Sequence, residues 1–437
     1  MKDMVEQIRV QGPSAGIKGE LMIPGDKSIS HRAVLLGALT EGTVEISGFL
    51  PGADCLSSVS CLRQMGVEIE ETGPGALKVH GRGWQGLKEP SDVLDVGNSG
   101  TTMRLLLGIL AGTDFFSVLT GDASIRRRPM GRVTEPLQKM GAQIQGRSQG
   151  KLAPLAIQGG KLVGCQHLSA VASAQVKSAL LLAGLRAEGK TEVQEPAVSR
   201  DHTERMLRTF GVEIGQEGNR LWVEGGQKLQ AVPVQVPGDI SSAAFWLVAA
   251  SIIPNSSLYL KQVGVNPTRT GILDVLQAMG ARIQLMNYRR FGDEPVADLL
   301  VESAELQGVE IGGELIPRLI DEIPVLALAA AVARGRTIIR DAAELRVKES
   351  DRLAAISREL SKLGATIEEM PDGLIIEGGA KLEGARVESY HDHRMAMTLL
   401  IAGLVAHGTT TVSGCEAIPV SYPDFVSSLQ RLGANLD

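Results

Sequence analysis

"LRQMGVEIE" (62–70) reads as the last turn of a helix, a stop, and the start of a strand. Gly66 stands where a helix commonly ends on a left-handed residue, and the apolar alternation that follows has the period of a strand. The phrase returns five more times, as "LQKMGAQIQ" (137–145), "LRTFGVEIG" (207–215), "LQAMGARIQ" (276–284), "LSKLGATIE" (360–368) and "LQRLGANLD" (429–437). A phrase recurring through the whole chain marks a repeated supersecondary unit. Between successive copies lies a second phrase, a long apolar helix that closes on a small or polar turn and runs into a strand, as in "RAVLLGALTEGTVEI" (32–46) and "VLALAAAVARGRTII" (325–339). The unit is therefore helix, strand, helix and one or more strands, at a period of about 70 to 84 residues. That is too long for a solenoid repeat and suits a small α/β lobe. Its first helix is apolar nearly all round, which predicts burial.

A chain of 437 residues exceeds one ordinary core, so six units divide into three plus three. "IPGD" (23–26) and "VPGD" (236–239) precede the first and fourth units and mark the two crossings. The expected lobes are residues 25–236, and residues 1–24 joined to 237–437. "IRVQGPSAGIKGELMI" (8–23) reads as two strands that join the second lobe and bring the chain ends together; a purely sequential split is the alternative.

A net charge of −6 gives no reason to expect nucleic acid, and 3% aromatic residues leave few platforms for stacked bases. The longest apolar stretches, such as "PVLALAAAVA" (324–333), are about half of a membrane span, and the start has no apolar signal segment. A cytoplasmic location with no membrane partner is the expectation. Cys55, Cys61, Cys165 and Cys415 lack CxxC spacing and read as ordinary thiols. "GELMIPGDKS" fails the P-loop spacing, and "GRGWQG" (81–86) is followed by "LKEPSD" where a dinucleotide fold needs a helix, so it reads as a turn. No metal-ligand cluster or GxSxG appears.

Polar phrases precede the buried helices and diverge while the helices do not: "PGDKSISHR" (24–32), "VGNSGTTMR" (96–104), "VASAQVKS" (171–178), "PGDISSA" (237–243), "PRLIDEIP" (317–324) and "SYHDHRM" (389–395). Divergence on a repeated scaffold places function there. Helix N-termini carry partial positive charge and free N–H groups, and so attract anions. "SIRRRPMG" (124–131), "SRDHTER" (199–205), "NPTR" (266–269) and "ELRVKESDR" (344–352) add cations at helix starts, against the usual preference for acids there. Asp321 heads a buried helix, as a base or an ordinary N-terminal acid; Glu349 lies between Lys348 and Arg352; His393 is an orienter or a structural histidine. Two acids among many cations suit proton transfer on a highly anionic substrate.

Together "PGDKSISHR", "GNSGTTMR", "RRRPMG", "SAQVKSALLLAGL", "LIDEIP", "RVKESDR" and "HDHRMAM" closely resemble the 5-enolpyruvylshikimate-3-phosphate synthase family, in order and nearly end to end. The resemblance implies an α/β (α+β) fold of two lobes, the enolpyruvyl transferase fold, with six βαβαββ-type units, three per lobe, and an active site in the inter-lobe cleft. It implies 3-phosphoshikimate 1-carboxyvinyltransferase activity: phosphoenolpyruvate gives its enolpyruvyl group to the 5-hydroxyl of shikimate 3-phosphate, through a tetrahedral intermediate that expels phosphate.

Carried over residue by residue, the family's shikimate 3-phosphate ligands fall on Lys27, Ser28, Arg32, Ser173, Ala174, Gln175, Arg200, Asp321 and Lys348. Its phosphoenolpyruvate ligands fall on Lys27, Gly100, Arg128, Gln175, Arg352 and Arg394. Asp321 takes the place of the base, Glu349 that of the acid at C3, and Lys27 is the competing acid. The ammonium of Lys27 is needed between two anions, whereas Ile240 stands in its place in the second copy of the turn. No cofactor or metal and a monomeric state are expected. "SRDHTE", "GDKS", "SAQVK" and "NPTR" resemble the glyphosate-tolerant branch, while Gly100 leaves room for that competitive inhibitor. Val420 and Ser421 replace a Lys-Thr pair common in sensitive members, and Glu344 replaces an Asn. The sister UDP-N-acetylglucosamine enolpyruvyl transferase typically places a Cys on a mobile loop, and "GDASIRRRPMG" (121–131) has none. A non-catalytic phospho-metabolite sensor would not need Asp321 and Glu349 together.

Overall fold

In the computed structural model, which describes residues 6–437, all six copies of the opening phrase end a helix in the same way. The helices Ala53–Gln64, Gly131–Lys139, His202–Thr209, Gly271–Ala278, Arg352–Lys362 and Phe425–Arg431 are followed by Gly66, Gly141, Gly211, Gly280, Gly364 and Gly433, with φ between 82° and 109°. At each, the N–H one residue beyond the glycine reaches back to the carbonyl of the phrase's leucine, from Val67 to Leu62 (3.0 Å) and from Ala434 to Leu429 (3.0 Å) for the first and last. This is the Schellman closure, and only a residue comfortable at positive φ makes it without strain. The chain then leaves as a strand every time, beginning at Glu68, Gln143, Ile214, Arg282, Thr366 and Asn435.

Six four-stranded sheets share one strand order. A short edge strand runs parallel to the strand after the buried helix; two antiparallel strands complete the sheet. In the first unit these are Val234–Gln235, Glu41–Ser47, Ala76–Arg82 and Glu68–Gly73. The edge strand comes from the end of the third repeat, so the three sheets of that unit close on themselves. In the other unit the chain start supplies the missing pieces: Gln7–Gly12 pairs with Gly408–Ser413 and Asn435–Leu436, and Lys18–Met22 pairs with Ser257–Gly264.

The chain divides into one unit of residues 25–237 with 290–294, and another of 1–24, 238–289 and 295–437. Each has its own hydrophobic core. The first is centred on the helices Lys27–Ala38, Gly100–Ala111 and Ala174–Gly184, the second on Ile240–Ile252, Ile323–Val332 and His393–Val405. Nearly every residue of these six helices is buried, because beyond the opening turns they present no polar face. Each lies against its own sheet and against sister helices of its unit. Gly108 permits a close approach of two of these helices: a Cβ there would lie 2.8 Å from the Ala179 Cα.

The cysteines are free, with Cys55, Cys61 and Cys415 buried. Trp84–Gly86 forms a short 3-10 turn, so the GxGxxG look-alike opens no helix. No described helix is long and apolar enough to cross a membrane.

The Schellman closures predict that Gly280→Ala, at φ +94° with only the Glu305 carbonyl nearby at 3.5 Å, destabilises its unit by about 1 kcal/mol in urea denaturation. Gly160→Ala, in open space and without a positive φ, is expected to stay within about 0.5 kcal/mol.

Candidate active site

Within each unit the polar phrases head helices that share a core. In the unit of residues 25–237, the Asp26 side chain caps its helix by accepting the Ile29 N–H (2.9 Å). Lys27 extends from the first turn and pairs with Asp54, an acid from the following helix that the sequence reading passed over. At the equivalent place in the second copy, Ile240 is 1% exposed and belongs to the core. Arg32 is buried and donates to the Thr203 hydroxyl (2.6 Å), the Ser178 hydroxyl (2.8 Å) and the Ser28 carbonyl (2.9 Å). Burial pushes its pKa down to about 10, with Arg200 near enough to lower it and Glu204, Asp26 and Glu294 opposing.

Ser173, Ala174 and Gln175 start the third buried helix, and a buried charge cluster fixes that start. Glu195 accepts the Ser173 N–H (2.7 Å) and the Ser199 hydroxyl (2.7 Å), and Lys177 sits 3.0 Å from Glu195 and 2.8 Å from Glu204. Burial disfavours the Lys177 charge, but the two glutamates outweigh it and raise its pKa. Ser199 immediately precedes Arg200, so one cluster fixes both stretches.

Gly100, Arg128 and Gln175 form a second group, joined by Arg104, which the sequence reading did not single out. Arg104 donates to the Gln175 side-chain oxygen, and Gln175 donates to the Thr101 hydroxyl (2.9 Å). Arg128 donates to Asn98 (2.7 Å) and the Ser124 hydroxyl (3.2 Å). A Cβ on Gly100 would lie 2.9 Å from Arg104 Nη1 and 3.4 Å from Arg128 Nη1, so its absence lets two guanidinium groups converge at a helix N-terminus.

In the other unit everything centres on Arg352, 1% exposed. Its Nε donates to Asp392 Oδ2 (2.8 Å), its Nη1 to Asp321 Oδ1 (3.2 Å) and its Nη2 to Glu349 Oε2 (2.7 Å). One planar fork therefore sets the spacing of the two expected proton-transfer groups. Burial works against the Arg352 charge, and Asp392, Glu349 and Asp321 together raise its pKa. For Asp392 burial pushes upward, Arg352 and His393 together outweigh it, and the carboxyl ends below its usual range. Lys348 Nζ lies 3.6 Å from Asp321 and 3.8 Å from Glu344, and Arg394 Nη1 donates to the Asp321 carbonyl (3.1 Å).

Asp392 is the largest omission of the sequence reading. It caps the Arg394 N–H (2.9 Å) and orients Arg352, and the acid preceding each of three buried helices, Asp26, Asp239 and Asp392, was the signal for it. Arg269 corrects the expectation for "NPTR". It is 2% exposed and turned toward Asp239 Oδ1 (3.1 Å) and the Ser241 hydroxyl (2.7 Å), because the cap acid needs a cation when buried. Val420 and Ser421 end a 3-10 turn, Cys415–Val420, and bring no cation.

The predicted residues thus form clusters rich in arginine and lysine at helix heads of each unit, one of them holding three carboxylates on a single guanidinium. The model of the EPSP synthase (3-phosphoshikimate 1-carboxyvinyltransferase) family matches residues 11–429. The chain belongs to the EPSP synthase family. It is 57% identical to a 3-phosphoshikimate 1-carboxyvinyltransferase of Desulforamulus reducens, over 97% of this chain and 99% of that protein. A relative of the same name from Synechococcus sp. is 60% identical over 96% of this chain and 95% of its own length. The structure of an EPSP synthase from Acinetobacter baumannii superposes with a TM-score of 0.90 at 45% identity, covering 99% of both chains. The two-lobed fold and six-unit architecture are those of the EPSP synthase family.

The histidine of "PGDKSISHR" is no ligand. His31 is buried, bonds Ser58 Oγ through Nδ1 (2.8 Å), and burial pushes its pKa down from 6.5 to about 3. It stays neutral in the folded chain while the unfolded chain takes up a proton near pH 6.5. Stability is therefore lost as pH falls below that value, by about 1.4 kcal/mol per pH unit. Urea denaturation of His31→Asn between pH 6.5 and 5 should show a pH slope shallower by that amount, and an unchanged slope would contradict the assignment.

Proposed function

We propose that the chain transfers the enolpyruvyl group of phosphoenolpyruvate to the 5-hydroxyl of shikimate 3-phosphate, releasing inorganic phosphate. The observation that carries the reading is the pair Asp321 and Glu349 on separate nitrogens of Arg352, with Lys348 and Arg394 beside Asp321. Two phosphates and two carboxylates enter this reaction, and arginine forks match both groups.

Asp321 takes the proton of the attacking hydroxyl as its oxygen bonds to C2 of phosphoenolpyruvate. Glu349 delivers a proton to C3 and takes one back when the tetrahedral intermediate expels phosphate and re-forms the double bond. Lys27 is the alternative donor, and its ion pair with Asp54 holds the ammonium at the helix head. Lys27, Ser28, Arg32, Ser173, Ala174, Gln175, Arg200, Asp321 and Lys348 take shikimate 3-phosphate; Lys27, Gly100, Arg128, Gln175, Arg352 and Arg394 take phosphoenolpyruvate. Preorganised donors aimed at developing charge are the largest source of rate enhancement in such sites. The enzyme is proposed to act as a cytoplasmic monomer with no cofactor, and glyphosate to compete with phosphoenolpyruvate beside Gly100.

Phosphorus NMR of the protein with both substrates should show phosphate release matched by a new enol ether. Release with UDP-N-acetylglucosamine instead would overturn the reading. Asp321→Asn is expected to lower kcat by about 10²–10⁴ while both KM values change little. Gly100→Ala, which crowds Arg104 and Arg128, is expected to raise KM for phosphoenolpyruvate about tenfold and leave that for shikimate 3-phosphate unchanged.

A further inference from the structure

Glu322, adjacent to Asp321, has no part in the chemistry above, yet it is almost fully enclosed. It is 1% exposed and occupies the cap position of the helix Ile323–Val332, but its side chain accepts no hydrogen bond from that helix. A glutamate is a poor cap, and a buried carboxylate is costly without compensating charge. Its side chain turns instead to two partners: the Ser241 hydroxyl donates to Oε1, and Arg394 Nη1 lies 3.7 Å from the same oxygen. Oε2 has no hydrogen-bond partner among the described residues.

Arg394 is held differently from Arg352. Its only side-chain hydrogen bond to a described residue runs from Nη1 to the Asp321 carbonyl (3.1 Å), whereas all three guanidinium nitrogens of Arg352 are taken by carboxylates. A carboxylate at 3.7 Å compensates the charge of Arg394 and fixes its Nη1 side, yet leaves the rest of the fork to an incoming anion. The orientation of Glu322 is itself imposed. Arg269 Nη2 donates to Ser241 Oγ (2.7 Å) and to Asp239 Oδ1 (3.1 Å), so the Ser241 proton is directed onto Glu322. A buried relay of charge and hydrogen bonds thus runs from Asp239, at the start of one core helix, to Arg394, at the start of another.

We propose that Glu322 is a positioning residue: oriented by Ser241 and Arg269, it presents the open edge of Arg394 to the carboxylate or phosphate of phosphoenolpyruvate. The proposal rests on the assignment of Arg394 to phosphoenolpyruvate made above. Its signature is a change confined to one substrate. Steady-state kinetics of the full chain should give Glu322→Gln a KM for phosphoenolpyruvate raised about tenfold, with kcat and the KM for shikimate 3-phosphate within about twofold. Glu322→Asp, which keeps the charge but withdraws it by one carbon, should fall between. In a double-mutant cycle, Glu322→Gln should add little to Arg394→Gln, since each removes the same interaction.

Equal rises in both KM values, or full additivity with Arg394→Gln, would overturn the positioning role and leave Arg394 itself standing. An unchanged phosphoenolpyruvate KM in Arg394→Gln would remove the underlying assignment, and the proposal with it. If Glu322→Gln does not fold by circular dichroism, Ser241→Ala breaks the relay one link earlier. It should raise the phosphoenolpyruvate KM selectively, by about threefold, and no selective change would count against the relay.

Discussion

The helix Ile323–Val332 carries no polar side chain on any face, and such a helix persists in water only when the rest of the chain surrounds it. Its five counterparts confine nearly all their polar side chains to the first two turns and are apolar beyond them, and most of the architecture follows from that. Three such helices per unit bury one another, their own sheets cover the outside, and the amphipathic second helices close the remaining gaps. Polar groups are then concentrated where the buried helices begin, because a helix head exposes N–H groups that its interior does not. Function was built where the packing left chemistry free to vary.

Helix heads favour anions, yet several heads here also hold cations. The structure reconciles these demands by placing an acid in front of the helix and a cation against the acid. Asp26, Asp239 and Asp392 cap their helices, and Arg269 and Arg352 lie on two of those caps. The acids keep the arginines charged and oriented despite burial, as the raised pKa of Arg352 illustrates. Lys177 between Glu195 and Glu204 is a variant of the same arrangement, with the cation as the enclosed partner. Such clusters are rigid because removing one member leaves another charge buried and unpaired.

These charge clusters were only partly legible beforehand. Asp321, Glu349 and Arg352 stand out in the sequence because they lie in phrases that differ from their repeats. Nothing in local spacing joins Lys27 to Asp54, Arg32 to Thr203 and Ser178, or Arg352 to Asp392, since these partners come from different helices. Arg269 looked like a ligand for the same reason that it is buried: a cation at a helix start reads identically whether it faces an anionic substrate or an internal cap.

The sequence by itself determined the repeat, the helix stops and the burial of the apolar helices, because each depends on short-range physics. A glycine at positive φ ends a helix wherever it occurs, and a helix without a polar face has one stable environment. It also carried the family, through seven phrases that keep their order. What only the tertiary structure decided was how the ends of the chain complete the last sheets, which acid neutralises which arginine, and how Glu322 is turned from its helix toward Arg394. Those outcomes depend on contacts between residues tens to hundreds of positions apart, and only the packing of whole helices brings such residues to within a hydrogen bond of one another.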